Sequence, residues 1–505
     1  MSGAAGEAPR LREVALAGHY FGDRHHAEAG DLARFLTAPA ASALMLWFGA
    51  DAATLLRDPA RFRALLDHDI ATIDAMLTAA INSILHHPRF TRLEGSWRGL
   101  AWLVTRTEVS DRLKLRVLQA SWPELCRDLE RAAEFDQSQI FRRIYEDEFG
   151  TPGGEPYGLL VMDYDIRHRP GPGAPTDDVS ALAGLSAIAA AAFAPMIFSA
   201  APALFGVDRM ADLSGVADPA AQFSGPEHLR FRNLGTREDM RFIGLALPRL
   251  RARPGWDEQP EAERGFRYVE QIDNADDIVW FAAGYAIAHT VARAMATYDW
   301  PADMRGYIQD WPGSGLITIG TAPHFSPDSA EGQARFEAEI ALTDTQERAL
   351  VDAGMMALSS LAFGGQTVLG AARSLQTPRR YAGRNAEAAD ANARLSAQFN
   401  TIVCVARFAH FIKVMGRDMT GAFRTASEIE RELTTWLRRY ANANKDAGPE
   451  MRARYPLLDA RVEVREHATK PGSFGCTIHL QPHYQLDDIS ASFRLVTELS
   501  APGSV

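Results

Sequence analysis

Apolar residues fall at helical spacing from Asp67 onward. Ile70, Ile73, Leu77, Ile81 and Ile84 share one face and predict an amphipathic helix with that face buried. Asp67 and Asp69 lie at its positive end, His86 and His87 at its negative end, and Pro88 stops it. The period then changes. Lys114–Ala120 alternates, with Leu115 and Val117 on one face, and predicts a strand. Ser121 and Glu124 have capping-box spacing with Pro123 in the first turn, so a helical region begins there and runs to about Phe149. Gly150–Pro156 is dense in glycine and proline and must be a loop, and Tyr157–Tyr164 reads as a buried strand. Strand, helix, loop and strand make a crossover unit, which predicts a mixed α/β core. A second unit follows: strand Phe336–Leu342, a helix capped by Thr343 with Gln346 three residues on, a stop at Gly354, and strand Met355–Leu358.

Val179–Val207 carries no charge and is long enough to span a membrane. It is rich in alanine, interrupted by Pro195 and Pro202, and bracketed by Asp177, Asp178 and Asp208, which points to a buried helix ending near Pro195. Residues 364–389 are polar, with Pro378 and Gly383, and mark a boundary. Beyond it a helix from about Ala391 to Met415 is apolar on most sides (Leu395, Phe399, Ile402, Val403, Ala406, Phe411, Ile412) and is expected to be buried. Alternation returns at Val462/Val464, at Phe474/Cys476/Ile478/Leu480 and at Ile489/Ala491/Phe493/Leu495. These are three short strands, and the last either completes its own sheet or seeks a partner's edge. The expected organisation is an N-terminal arm with one or two short helices (1–66), a body (67–380) and a smaller α+β C-terminal domain (381–505).

Composition narrows the class. The chain has 505 residues, 47% hydrophobic and 23% charged, which excludes wholesale disorder. Its net charge of −11 argues against nucleic-acid binding. The three cysteines, Cys126, Cys404 and Cys476, are isolated, and the first thirty residues lack a signal-peptide apolar block, so a cytoplasmic protein is expected. No phosphate-loop, zinc-protease, nucleophile-elbow or dinucleotide motif is present, and no cofactor or metal is expected. Asp163 and Asp165 sit at the end of an expected strand, where α/β active sites assemble; without a partner motif they read as turn-capping carboxylates. The pairs His25-His26 and His86-His87 lack the i, i+4 spacing that suits chelation. Arg407, His410, Lys413 and Arg417 occupy one sector of the long helix, either a solvated stripe or a charged contact face toward an acidic neighbour. Trp97, Trp102, Trp280 and Tyr285 are expected in the core.

Several segments carry more than composition: Glu94-Gly95-Ser96-Trp97-Arg98-Gly99-Leu100, Asp147-Glu148-Phe149-Gly150-Thr151-Pro152-Gly153-Gly154-Glu155-Pro156-Tyr157-Gly158, and Arg407-Phe408-Ala409-His410-Phe411-Ile412-Lys413-Val414-Met415. With Asp459–Val464 and Arg494–Leu499 they resemble, in order over most of the chain, the large subunit of the type VI secretion contractile sheath, the TssC/VipB/EvpB family. Where that family usually continues with Leu-Pro-Tyr-Gly, this chain has Leu247-Pro248-Arg249-Leu250. The resemblance implies a structural subunit with a tail-sheath-like body, not an enzyme. It implies pairing with a small sheath subunit (TssB/VipA), contact with neighbouring copies, an inner Hcp tube and a baseplate, and recycling by the ClpV unfoldase. It also implies that the C-terminal strands join an intersubunit sheet, here through Phe474, Ile478, Leu480, Ile489, Phe493 and Leu495. The alternatives are an α/β enzyme using Asp163 and Asp165, or a monomeric binding module using the Arg407/His410/Lys413/Arg417 stripe.

Overall fold

The computed structural model describes residues 31–108, 112–151, 153–258, 265–266, 268–308, 313–320, 337–361, 366–382, 386–419, 425–466, 474–483 and 493–499. Contacts divide the chain into two compact units. One comprises residues up to Thr91 with Gly255–Ile278; the other comprises Arg92–Pro254 with Val279–Val505.

The smaller unit is helical. Helix α1 (Pro59–Leu85) starts a full two turns earlier than the periodicity suggested, because Asp58 accepts the Arg61 amide as N-cap and Pro59 suits the first helical position. Its N-terminal half packs on the short helices Ala40–Phe48 and Ala52–Leu55, where Phe48, Ala52 and Leu55 meet Phe62, Leu65 and Leu66. Trp47 Nε1 donates to buried Asp69 at 2.8 Å. The expected apolar face of α1 is only partly covered: Ile73, Leu77 and Ile81 are half-buried, whereas Ile70 and Ile84 remain 49% and 62% exposed.

The larger unit is built on a six-stranded sheet of β1 (Leu160–Ile166), β2 (Met196–Ala200), β3 (Ile243–Leu247), β4 (Leu316–Ile317), β5 (Met355–Ser360) and β6 (Thr367–Leu369), in the order β1-β2-β3-β5-β6-β4. The first four neighbours run parallel, and β6 and β4 add antiparallel. A parallel sheet must be covered on both faces, and alternate residues duly feed two cores. Met196, Phe198, Ile243, Leu245 and Met355 face one; Ile197, Ala246, Met356 and Leu358 face the other. Helix α2 (Pro88–Arg106) precedes the sheet, and α3 (Trp122–Arg131) begins with the expected Ser121/Glu124 capping box. Helix α4 (Asp178–Ala192) covers the first face with Leu182, Leu185 and Ile188. It is the charge-free segment, ending before Pro195 as expected. Helix α5 (Ala283–Tyr298) covers the second face through Ala286, Ile287 and Val291.

Longer helices further along the chain are α6 (Asp344–Asp352), α7 (Ala386–Ser396), α8 (Phe399–Met419) and α9 (Ala426–Arg438). The cap at Thr343 and the left-handed stop at Gly354 (φ 89°) are as predicted. The single long helix expected from Ala391 is two, broken where Ala397 O receives both the amide and the hydroxyl of Ser374. Helix α8 is apolar on most sides because it serves both cores, Phe399 and Val403 on one side and Ile402, Phe408 and Ile412 on the other. That accounts for a helix with the length and composition of a membrane span. Strands β7 (Leu457–Glu466), β8 (Phe474–Pro482) and β9 (Phe493–Leu499) form a second, antiparallel sheet in that order, with Ile429, Leu433 and Leu437 of α9 in the same core.

Two predicted strands do not form. Lys114–Ala120 has no regular secondary structure and pairs with no described strand, and residues 337–342 make only a single bridge, Ala338 to Leu250. In the latter, alternate acidic side chains bind elsewhere: Glu337 takes the Ile319 amide and Glu339 takes Arg249 through two bonds of 2.8 and 2.9 Å. β1 itself is an edge strand, half-buried through most of its length, where a fully buried one was expected.

Helix α2 packs through glycine. A Cβ at Gly95 would lie 2.1 Å from the Trp280 carbonyl oxygen, and one at Gly99 2.7 Å from the Tyr285 ring. Glycine to alanine on an open helix surface gains roughly 1 kcal/mol. Here Gly95→Ala is expected to lose about 1–3 kcal/mol, because backbone cannot yield as a side chain can. The urea midpoint of the full-length variant measures this, and an unchanged or raised midpoint contradicts the close packing.

Candidate assembly surfaces

The C-terminal sheet presents its two edges differently. At β7, Leu457 exchanges backbone hydrogen bonds with Tyr440 and Asn442, and the Val464 amide donates to Glu430 Oε2 at 3.1 Å. That edge is engaged near both of its ends. β9 is the other outer strand, and no described strand pairs with its free side. Of the six strand residues singled out from the sequence, Phe474, Ile478 and Leu480 turn into the chain's own core and are buried. Leu495 and Phe493 stand opposite Ile478 and Leu480 in the ladder, and Ile489 lies outside the described residues.

The Arg407/His410/Lys413/Arg417 sector is not an open contact face. His410 is 2% exposed, and its Nε2 lies 3.0 Å from the Ala192 carbonyl. Lys413 Nζ donates to the Ala191 carbonyl at 3.2 Å and sits 5.0, 4.9 and 4.8 Å from the rings of Tyr145, Phe149 and Phe193. Arg407 is half-buried, its guanidinium over the Phe411 ring at 4.4 Å, and Arg417 is half-buried further along. The sector was misread because its neighbour is the carboxyl end of α4. That helix stops at left-handed Phe193, leaving carbonyls and a negative dipole end that cations satisfy. Burial lowers the His410 pKa to about 4, with Arg407 and Lys413 adding to the effect against the carbonyl hydrogen bonds. Burial also brings Lys413 down to about 8.

Two of the family-like segments meet here. Phe149 of the Phe149–Gly158 segment packs on both Lys413 and His410. Glu148, buried, accepts the Glu155 amide at 2.7 Å and pairs with Arg116. Gly154 is pressed so close to the Glu148 carbonyl that a Cβ would lie 2.1 Å from it. In the Glu94–Leu100 segment, Glu94 accepts Arg98 and Arg253, each through Nε at 2.6 Å. Trp102 packs on Phe281 and His289, but Trp97, also expected in the core, is 62% exposed. With Leu93 and Val104 it forms an outward apolar stripe on α2, opposite the glycines. Periodicity could not assign it, since both faces of this helix are apolar or small.

Asp163 and Asp165 are tied into a charge cluster. Arg92 pairs with Asp165 and donates to the Asp163 carbonyl at 3.1 Å, while the Tyr285 hydroxyl donates to the Asp163 carboxylate at 3.2 Å. The adjoining cleft, lined by Ser96, Arg249 and Trp280 as well, has a volume of about 10 Å³, room for a single water.

Low pH reports on the α4 clamp. Below about pH 6.5 the unfolded chain protonates His410 while the folded chain, with its pKa near 4, does not. Stability is therefore lost as pH falls from about 6.5 toward 4, on the order of 3 kcal/mol from this group. His410→Gln should flatten that part of the urea-midpoint profile between about pH 7 and pH 4.5; an unaltered slope removes His410 from the account.

Residues 67–376 match the family described as EvpB/VC_A0108, tail sheath N-terminal domain, and residues 388–499 match its tail sheath gpW/gp25-like domain. Over 435 residues, 85% of each chain, the sequence is 36% identical to the type VI secretion system sheath protein TssC1 of Pseudomonas aeruginosa. A chain in the cryo-EM structure of the anti-feeding prophage baseplate shares 10% identity, covering 78% of this chain and 84% of that one. Its TM-score of 0.35 is too low to carry an argument.

Proposed function

Because the chain belongs to the EvpB/VipB tail sheath family, we propose that it is the large structural subunit of a type VI secretion contractile sheath. With a small sheath subunit it polymerises in the cytoplasm around an Hcp tube, above a baseplate, and contraction propels tube and spike into a target cell. The observation that carries this reading is the relation to a sheath protein over 85% of both chains. The charge cluster at Asp163 and Asp165 fits a structural role, since each carboxylate is already engaged by Arg92 or Tyr285. The gap between the two matched domains, 377–387, supports a body ending near residue 380 and a C-terminal sheath domain beyond it. The N-terminal arm, residues 1–66, is assigned to partner contacts, including recycling by an unfoldase.

The intersubunit strands are assigned to the free side of β9. Phe474, Ile478 and Leu480 anchor the sheet on its own core, and the ladder around Phe493 and Leu495 is left to extend to a neighbour. Energy for contraction is held in the assembled lattice, so no nucleotide site is required on this chain.

Co-expression with a small sheath subunit is expected to give long hollow filaments in negative stain; discrete heterodimers alone contradict the sheath reading. Phe493→Pro removes one main-chain donor from β9 and should stop filament growth while heterodimers persist. Filaments of normal length from that variant would exclude strand sharing at this position.

A further inference from the structure

His168 follows β1 by two residues, and it is buried, only 6% exposed. Neither of its ring nitrogens has a hydrogen-bond partner. A neutral imidazole carries one donor and one acceptor, and burying both unmet is unfavourable. The ring lies instead on that of His228, with centroids 4.0 Å apart and planes inclined by 24°. His228 is as deeply buried, and its Nε2 lies 2.9 Å from the Leu204 carbonyl. A carbonyl only accepts, so that nitrogen carries the proton. Phe223 meets the His228 ring edge-on at 5.4 Å.

Little charge is available to steady a proton on His168. Glu227 Oε2 lies 3.9 Å from its Nε2, beyond hydrogen-bond reach, and is already bound to Arg169 at 2.8 Å. That ion pair is more than half exposed, so solvent weakens its influence. Carboxylates on the start of α4 are engaged elsewhere: Asp177 by Arg230, and Asp178 by Trp122, Thr176 and the Arg167 amide. Arg232 donates to the Phe223 and Gly225 carbonyls, the Arg167 side chain lies toward Gly171, and residues 202–205 carry no charge. Protonated, His168 would be a buried cation with two N–H donors and no acceptor, with Arg169 nearby. Burial, His228 and Arg169 accordingly lower its pKa, and Glu227 opposes them.

We propose that the His168–His228 stack is an acid-operated latch: it fastens the loop between β1 and α4 onto residues 223–228 while both rings are neutral, and a proton on His168 opens it. The exposed Arg169–Glu227 pair is the other tie between these segments, and it is too well solvated to hold them alone. Once released, His168 takes the ordinary histidine pKa of about 6.5, above its value in the closed stack. The closed form is therefore fully favoured above about pH 6.5 and loses ground as pH falls below it. Nothing in this depends on what the chain assembles with.

Amide hydrogen exchange of the full-length chain, corrected for the intrinsic effect of pH, tests the latch. Between about pH 7.5 and pH 5, protection at residues 168–176 and 223–228 should fall by about fivefold or more, while β2 and β3 keep theirs. His168→Phe keeps a ring on His228 but takes no proton, and its protection there should be the same at both pH values. An equal fall in His168→Phe overturns the latch, as does a loss that spreads in step through β2 and β3. So does a fall that His410→Gln abolishes, because the response would then belong to the α4 clamp. Should His168→Phe not fold, exchange of the imidazole Cε1 hydrogens in the wild type reads His168 directly. Titration below about 6.5 supports the latch, and titration at or above that value overturns it.

Discussion

A helix without a charged residue in its last three turns has nothing of its own with which to finish. Helix α4 is such a helix, made of leucine, isoleucine and alanine because it covers one face of a parallel sheet. Its terminal carbonyls point toward α8, which must bring polar groups into an otherwise apolar interface. His410 and Lys413 do so, the neutral imidazole through a bond of about 0.5–1.5 kcal/mol and the Lys413 ammonium through a charge-assisted one of about 1.5–3 kcal/mol. Once Lys413 is there, it needs a solvent substitute, and Tyr145, Phe149 and Phe193 provide ring faces. Phe149 opens the glycine-rich loop, so the path of that loop, the closure of α4 and the seating of α8 are one problem with one solution.

The sequence conveyed those parts of the fold whose causes are local. Capping at Ser121 and Thr343, the stop at Gly354, alternation in Phe474–Leu480 and the apolarity of α8 on most sides depend on neighbours within a few residues, or on burial alone. What it concealed was identity of partner. His410 and Lys413 spell a charged stripe unless one knows that a helix end faces them. Leu115 and Val117 spell a strand, and so do the residues around Ala338, but neighbouring strands were not there to receive them. Trp97, Ile70 and Ile84 follow the same rule in reverse: periodicity reports that a side chain belongs against something apolar, without saying in which polypeptide. In a subunit made for assembly these ambiguities gather at its surfaces.

The family-like motifs divide along this line. Glu94, Gly95, Arg98 and Gly99 have complete explanations inside the chain, as ion-pair partners or as places where a helix must approach a backbone. Glu148, Gly154 and Glu155 likewise lock a loop on itself. Trp97 has none, although it sits among them. A motif that is mostly scaffold with one outward aromatic positions that aromatic firmly.

The unequal edges of the C-terminal sheet carry a consequence for growth. Tyr440, Asn442 and Glu430 engage the outer side of β7 at Leu457 and Val464, whereas no described strand lies on the outer side of β9. A sheet open at both sides could propagate without limit, copy upon copy, as fibrils do. Were subunits to link through this sheet as proposed, addition beside β9 alone would make the linkage vectorial, with a distinguishable head and tail on each subunit.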